Sequence, residues 1–191
     1  MKLIAIGGCS GSGKSTLARA LTRHLTGSVA IALDSYYANR GPIANYDHPD
    51  ALDWLLLDDQ LDALRHGIPV LVPVYDFETH ARTEEFELVK PSEIVIVEGI
   101  LALHDFDLRQ HSDLKVYVEA PGNKCLDRRI ERDMADRGRT YASIVEQYRI
   151  YTEPMADEYV IPSRTFADVI VSGERPVEEA VATVIRHLPH D

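Results

Sequence analysis

The chain has 191 residues, 45% of them apolar and 27% charged, with a formal net charge of −11. That length suits one domain with a substantial core, and the acidic balance argues against a general nucleic-acid surface while allowing local positive charge around a polyanion. Cys9 and Cys125 are too few and too far apart for a disulfide scaffold or a zinc knuckle. The opening apolar run LIAIGG is too short for a signal peptide and no stretch approaches 18 apolar residues, so the expectation is a cytoplasmic protein without a membrane partner.

Residues 3–6 read as a short buried strand running into glycines, and 14–25 as the helix that follows. Residues 28–34, SVAIALD, are expected as a second strand, apolar nearly to its end and so buried on both faces. Leucines at 52, 55, 56, 61 and 64 stand near helical spacing, which predicts a helix over 52–65, ended by Gly67 and Pro69. Residues 70–75 and 84–89 are extended and can pair as a hairpin outside the main sheet, with YDFETHART as its loop. Residues 94–98, IVIVE, form a core strand closed by an acid. Then come a strand at 114–118, a helix at 124–135, a longer helix at 143–158 bent or broken near Pro154, and a last strand at 168–171. A closing helix at 176–188 has Pro176 in its first turn. Strands separated by helices predict an α/β fold, a parallel central sheet covered on both faces in three layers. One domain over 1–191 is expected, with the hairpin inserted at about 69–90 and a mobile lid at about 132–142.

GCSGSGKS, residues 8–15, has a glycine, a four-residue gap, then glycine, lysine and serine, placed between a strand and a helix. In this phosphate-binding loop, or P-loop, Gly8, Gly11 and Gly13 let the backbone turn and approach phosphates closely. The amides of Cys9, Ser10, Ser12 and the Lys14–Thr16 helix start supply oriented positive dipole. Lys14 can reach the β- and γ-phosphates, and the Ser15 hydroxyl can ligate Mg²⁺. ATP or GTP binding follows, which fits a small-molecule kinase, a GTPase or a motor alike. Glu98 closes a strand at the ligand-binding edge of a parallel sheet and can hold Mg²⁺ directly or through water. Asp34, at the end of the adjacent strand, suits either a metal ligand or a base for an acceptor hydroxyl, and could also cap the next segment.

GGCSGSGKST, DSYY at 34–37, NYDHPDALD at 45–53, PVYDFETHAR at 73–82, EGIL at 98–101, RRIERDMADRGR at 128–139, the QY of 147–148 and ADVIVSG at 167–173 follow in one order. Over roughly residues 4–173 the chain thereby resembles the uridine kinase family, within the group that includes phosphoribulokinase. The resemblance implies a P-loop kinase that moves the γ-phosphoryl of ATP or GTP, with Mg²⁺, to the 5′-hydroxyl of uridine or cytidine. It also implies a homo-oligomer with a small-molecule nucleoside substrate. By the same likeness Asp34 matches the candidate base near the metal, and Tyr37 lines the acceptor side. Asp47 and Arg129 match residues gripping the ribose hydroxyls. Tyr46, where relatives often carry phenylalanine, joins Tyr75 and Phe77 around the base, and His80 matches a histidine reading the pyrimidine edge. Gln147 matches a helper on the acceptor side, and Arg132, Arg137 and Arg139 match positive groups of the pocket or closing flap.

The residues allow these roles on their own terms. A carboxylate at Asp47 can accept two bonds from a ribose diol, whereas Asp50 and Asp53 can cap the helix that starts near residue 52. Aromatic rings can sandwich a pyrimidine, and a polar group whose bond would go unmet discriminates it; Phe77 in the hairpin core and an exposed His80 are the plainer alternatives. The arginines at 128, 129, 132, 137 and 139 either lie on a solvated helix with Glu131, Asp133 and Asp136, or close over phosphates from the RGR hinge. Rivals are kinases of nicotinamide riboside, pantothenate or a sugar phosphate, and a nucleotide-dependent switch. Cys125 is expected to pack, with nothing near it in sequence to activate a thiolate.

Overall fold

The computed structural model describes residues 1–38 and 45–189. In chain order its first elements are β1 (Lys2–Gly7), α1 (Lys14–His24), β2 (Ser28–Ala32), α2 (Trp54–Arg65), β3 (Val70–Asp76), β4 (Ala81–Val89) and β5 (Ile94–Glu98). Then come α3 (Phe106–His111), β6 (Leu114–Glu119), α4 (Gly122–Asp136) and α5 (Tyr141–Gln147). A π-helical turn (Tyr148–Thr152), α6 (Glu153–Met155), a second π turn (Ala156–Val160) and α7 (Ile161–Ser163) continue the path to β7 (Val169–Ser172) and α8 (Val177–His187).

Five strands form one parallel sheet in the order β2-β5-β1-β6-β7. The inner strands β1 and β5 are apolar on both sides because helices cover both faces. In β1, Ile4 and Ile6 face Leu17 and Leu21 of α1 and Val181 and Val184 of α8. Leu3 and Ala5 face the opposite layer, which holds Leu57, Leu61 and Leu64 of α2 together with Leu101, Leu103 and Val160. This period-two split of one strand between two cores is the physical content of the three-layer arrangement. With β1 central, its C-terminal end opens between neighbours β5 and β6, where parallel sheets bind ligands. The antiparallel β3–β4 hairpin is a separate two-stranded sheet. Among the described residues no helix is long and apolar enough to cross a membrane.

Several expected boundaries move, each for a local reason. The strand expected over 28–34 stops at Ala32, because its partner β5 ends at Glu98 in the same register and no ladder lies beyond. Leu33–Tyr36 winds instead into a 3₁₀ turn, so Asp34 leaves the sheet edge on a turn and not on a strand end. The helix expected from residue 52 starts at Trp54: Leu52 bridges to Tyr37, and the Asp53 side chain accepts from the Leu56 amide at 3.4 Å as its cap. The hairpin's second strand begins at Ala81, three residues early, with a register shift between Pro73 and Tyr75.

The bent helix expected over 143–158 starts at Tyr141 behind a Thr140 cap and widens into π turns on either side of Pro154. Proline has no N–H to offer and its ring crowds the carbonyl four residues back, so the helix relieves itself by widening. Pro176 stands just outside α8 as its cap and not within the first turn. The short α3, capped by Asp105, has too few residues for a periodic signal and was not anticipated.

Candidate active site

The loop between β1 and α1 folds around its own lysine: Lys14 Nζ donates to the Cys9 carbonyl at 3.1 Å. Gly11 has φ +83°, and a Cβ there would lie 2.2 Å from the Cys125 carbonyl oxygen in the first turn of α4. Only glycine accepts both the angle and that approach. From α4, Arg128 donates to the Gly11 carbonyl at 3.3 Å and Arg129 to Ser10 Oγ at 3.1 Å, so the helix that carries the arginines also holds the loop. At the far end of the sheet Gly173 comes as close: its Cβ would lie 1.9 Å from the Ser12 carbonyl oxygen. A cavity beside this loop is lined by Gly11, Gly13, Lys14, Ser15 and Thr16 together with Arg128 and Arg175. Gly8, Cys9 and Ser12 lie outside that lining, and Ser12 is buried beneath the loop.

A second cavity shares Lys14, Ser15 and Arg132 with the first and brings together all the expected acceptor-side residues. Asp34 and Glu98 stand on its floor beside Ser10 and Ser15. Tyr37, Tyr46, Tyr75, Phe77 and His80 make one wall. Their rings interlock, Tyr37 with Tyr46 at 5.3 Å edge-on, Tyr37 with Tyr75 at 4.9 Å, and Tyr75 with Phe77 at 5.2 Å. His80 stacks on Tyr46 at 5.2 Å and has φ +54°, a strained angle for a residue with a side chain. Such strain gathers where function over-determines a position. The Tyr75 hydroxyl is buried without a well-formed hydrogen bond; burial, and then the neighbouring Tyr46 hydroxyl, push that phenol well above its ordinary range.

Asp47 is buried in the same cavity, where Thr152 from the first π turn donates to its Oδ2 at 2.8 Å. Burial raises the Asp47 carboxyl, while Arg129 and the Thr152 hydroxyl hold it down. Glu98 is likewise raised by burial, with Lys14 opposing, Asp34 adding and the Ser15 hydroxyl opposing. Two neighbouring carboxylates beside a serine hydroxyl are a hard oxygen donor set, the chemistry that suits Mg²⁺ and not a soft metal. Ser15, Asp34 and Glu98 therefore fit a hard divalent cation.

Arginines of α4 and of the segment after it complete the cavity lining. Arg137 lies over the Phe77 ring, 3.7 Å from its centroid, within cation–π range. Arg129 donates to Gln147 Oε1 at 3.2 Å, Arg139 also donates to that oxygen, and Arg139 reaches the Ser143 carbonyl at 3.1 Å. Burial lowers the Arg137 pKa, and Arg132 beside it lowers it further.

Four features escaped the sequence reading. Asp133, grouped there with solvated charges, is fully buried among the arginines; the spacing Arg129, Asp133, Arg137 at steps of four was the available signal. Thr152 carried no signal, because only the fold brings it to Asp47. Arg82 donates to the Tyr36 carbonyl at 3.1 Å and to Asp53 Oδ2 at 3.3 Å, fastening the hairpin to the turn that carries Asp34. Tyr36 and Gln60 add to that clamp: Tyr36 Oη donates to Gln60 Oε1 at 2.7 Å and Gln60 Nε2 to the Leu71 carbonyl at 2.8 Å. Asp53 is a cap and clamp partner, and Asp50 is exposed. Cys125 packs as expected, its thiol raised by burial to about 11.

Comparison with known proteins follows the same outline. The family described as "Phosphoribulokinase / Uridine kinase family" matches residues 3–178. A protein named uridine kinase from Deinococcus deserti is 40% identical over 178 residues, covering 88% of this chain and 86% of its own. Another of that name from Shewanella piezotolerans is 41% identical over 202 residues, covering 97% and 95%. Among solved structures, a putative fructose transport system kinase from Silicibacter sp. TM1040 superposes with a TM-score of 0.74 over 89% of each chain at 23% identity, a likeness of fold.

Proposed function

Because the chain belongs to the phosphoribulokinase/uridine kinase family, we propose that it is a uridine/cytidine kinase, transferring the γ-phosphoryl of ATP or GTP to the nucleoside 5′-hydroxyl. One observation carries the reading: a single cavity holds P-loop residues, three acids and an aromatic wall with a histidine. A phosphate donor and a flat, hydroxylated acceptor would meet there face to face.

In this reading the loop amides and Lys14 hold the triphosphate, and Asp47 with Arg129 orients the ribose hydroxyls. Asp34 faces the 5′-oxygen and accepts its proton as the new bond forms. Ser15, Asp34 and Glu98 would hold Mg²⁺, whose chemistry is charge neutralisation on the phosphate oxygens. Tyr37, Tyr46, Tyr75 and Phe77 enclose the base, and His80 reads its edge. Arg132, Arg137 and Arg139 stabilise charge on the moving group, and closure over them excludes water. Pyrimidine salvage in the cytoplasm, by a homo-oligomer, completes the proposal.

A coupled kinase assay with uridine, cytidine, nicotinamide riboside, pantothenate and a sugar phosphate tests it, with product mass identifying one added phosphate. Uridine or cytidine is the expected acceptor. His80→Ala should depress pyrimidine nucleoside use selectively. Equal loss across unrelated acceptors ends the base-reading role, and triphosphate hydrolysis with no phosphorylated acceptor ends the kinase reading in favour of a switch.

A further inference from the structure

We propose that Asp133 is the positioning residue of the lid, one buried carboxylate that gathers four arginines and sets where they face the transferring group. The inference rests on the phosphoryl-transfer reading above. Asp133 has no exposed surface. Its Oδ1 accepts from Arg132 through Nε at 2.9 Å and pairs with Nη2 at 2.8 Å, and Arg137 Nη1 stands 3.4 Å away. Arg129 Nε and Arg139 Nη1 each stand 3.6 Å from Oδ2, which makes no hydrogen bond. The backbone closes the same knot, the Arg139 amide donating to the Asp133 carbonyl at 3.1 Å.

Four positive groups around one negative group leave a surplus of three charges beside the cavity. Without the carboxylate these guanidinium groups would repel one another and spread. With it they stay clustered yet incompletely neutralised, which is the state a polyanion can enter. Three of these side chains reach three parts of the site: Arg129 the loop at Ser10, Arg129 and Arg139 the acceptor helper Gln147, and Arg137 the aromatic wall at Phe77. Asp133 touches none of the reacting atoms itself. Its effect passes through the arginines, so it should govern the chemical step more than donor affinity, which the P-loop amides dominate.

Asp133→Asn keeps the shape and removes the charge. With whichever acceptor the wild-type protein phosphorylates, kcat should fall by roughly 100-fold, the scale of a misplacement of about 1 Å. The Kd of a non-hydrolysable ATP analogue, measured without acceptor, should change far less. The loss should also shrink sharply when Arg132 is already alanine, because the pair acts as a unit. A merely structural residue would lower the melting temperature while leaving kcat per folded molecule intact, and its loss would multiply with that of Arg132→Ala; either result overturns the proposal. Should Asp133→Asn not fold, the cycle of Arg132→Lys and Arg139→Lys decides in the native background. These two arginines pair with opposite oxygens of Asp133, so the proposal requires their losses to be coupled, and independent losses refute it. Absence of any phosphorylated acceptor with the wild-type protein would instead be a failure of the functional reading, visible before any variant is made.

Discussion

Replacing Thr152 by valine removes one hydroxyl and keeps the side-chain shape. That hydroxyl donates to Asp47 Oδ2 at 2.8 Å, and donor and acceptor residues are 4% and 7% exposed. A hydrogen bond to a charged group contributes about 1.5–3 kcal/mol, and at this burial solvent screens little of it. Taking roughly 2 kcal/mol, at 1.36 kcal/mol per tenfold, kcat/KM for the nucleoside should fall by about 30-fold. The pH profile should move as well. Burial already raises the Asp47 carboxyl while Arg129 and Thr152 hold it down, so losing Thr152 raises it further. The ionised form is the one that accepts bonds from ribose hydroxyls, so the acid limb of nucleoside kcat/KM should shift to higher pH. Initial rates against nucleoside at saturating donor, across the acid range, provide the assay. An unmoved acid limb with unchanged nucleoside kcat/KM would refute the reasoning, as would an equal change in donor KM.

Two further perturbations test the donor side. In Gly173→Ala the new Cβ would meet the Ser12 carbonyl oxygen at 1.9 Å, so the P-loop must shift. Calorimetry should show a loss of about 1–3 kcal/mol in stability, and titration should show weakened triphosphate binding; native affinity in this variant would show that the approach does not shape the loop. At Glu98, burial raises the carboxyl above its ordinary 4.5, Lys14 opposing and Asp34 adding. A raised folded value means the folded chain keeps a proton that the unfolded chain has released. The stability it contributes is therefore full below about 4.5 and is lost as pH climbs through the raised folded value. A divalent cation at Ser15, Asp34 and Glu98 offsets that loss, so Mg²⁺ at ten times its Kd should stabilise by roughly 1.4 kcal/mol above this window and much less below it. Thermal melts without nucleotide would refute the site if Mg²⁺ acted equally at both pH values, or if Glu98→Gln kept the full effect.

Local chemistry made the P-loop legible: a glycine-rich turn between an apolar strand and a helix states its own backbone geometry, and the loop 8–15 lies where the pattern places it. The acids and aromatic residues of 34–80 could be named as one constellation because their motifs, at 34–37, 45–53 and 73–82, follow the order of the family the chain resembles. The turn at 33–36 could not be read, since its apolar residues suit a strand until the missing ladder partner beyond Glu98 is known. Asp133 was misread for a related reason. On a helix thick with charges it looks solvated, and only the packing of α4 against the P-loop and α5 takes it out of water.

By itself, then, the chain's order of residues specified the alternating α/β layers and the phosphate-binding loop, because each follows from backbone geometry or periodicity within a few residues; the expected acceptor-side residues came from the likeness of its motifs to a known family. Tertiary structure alone decided which side chains meet, joining Thr152 to Asp47 across 105 positions, Arg82 to Asp53 across 29, and four arginines to one carboxylate. The reason is desolvation: whether a charge is an ornament of the surface or a fixed part of the site depends on what the fold packs over it, and spacing along the chain does not record that.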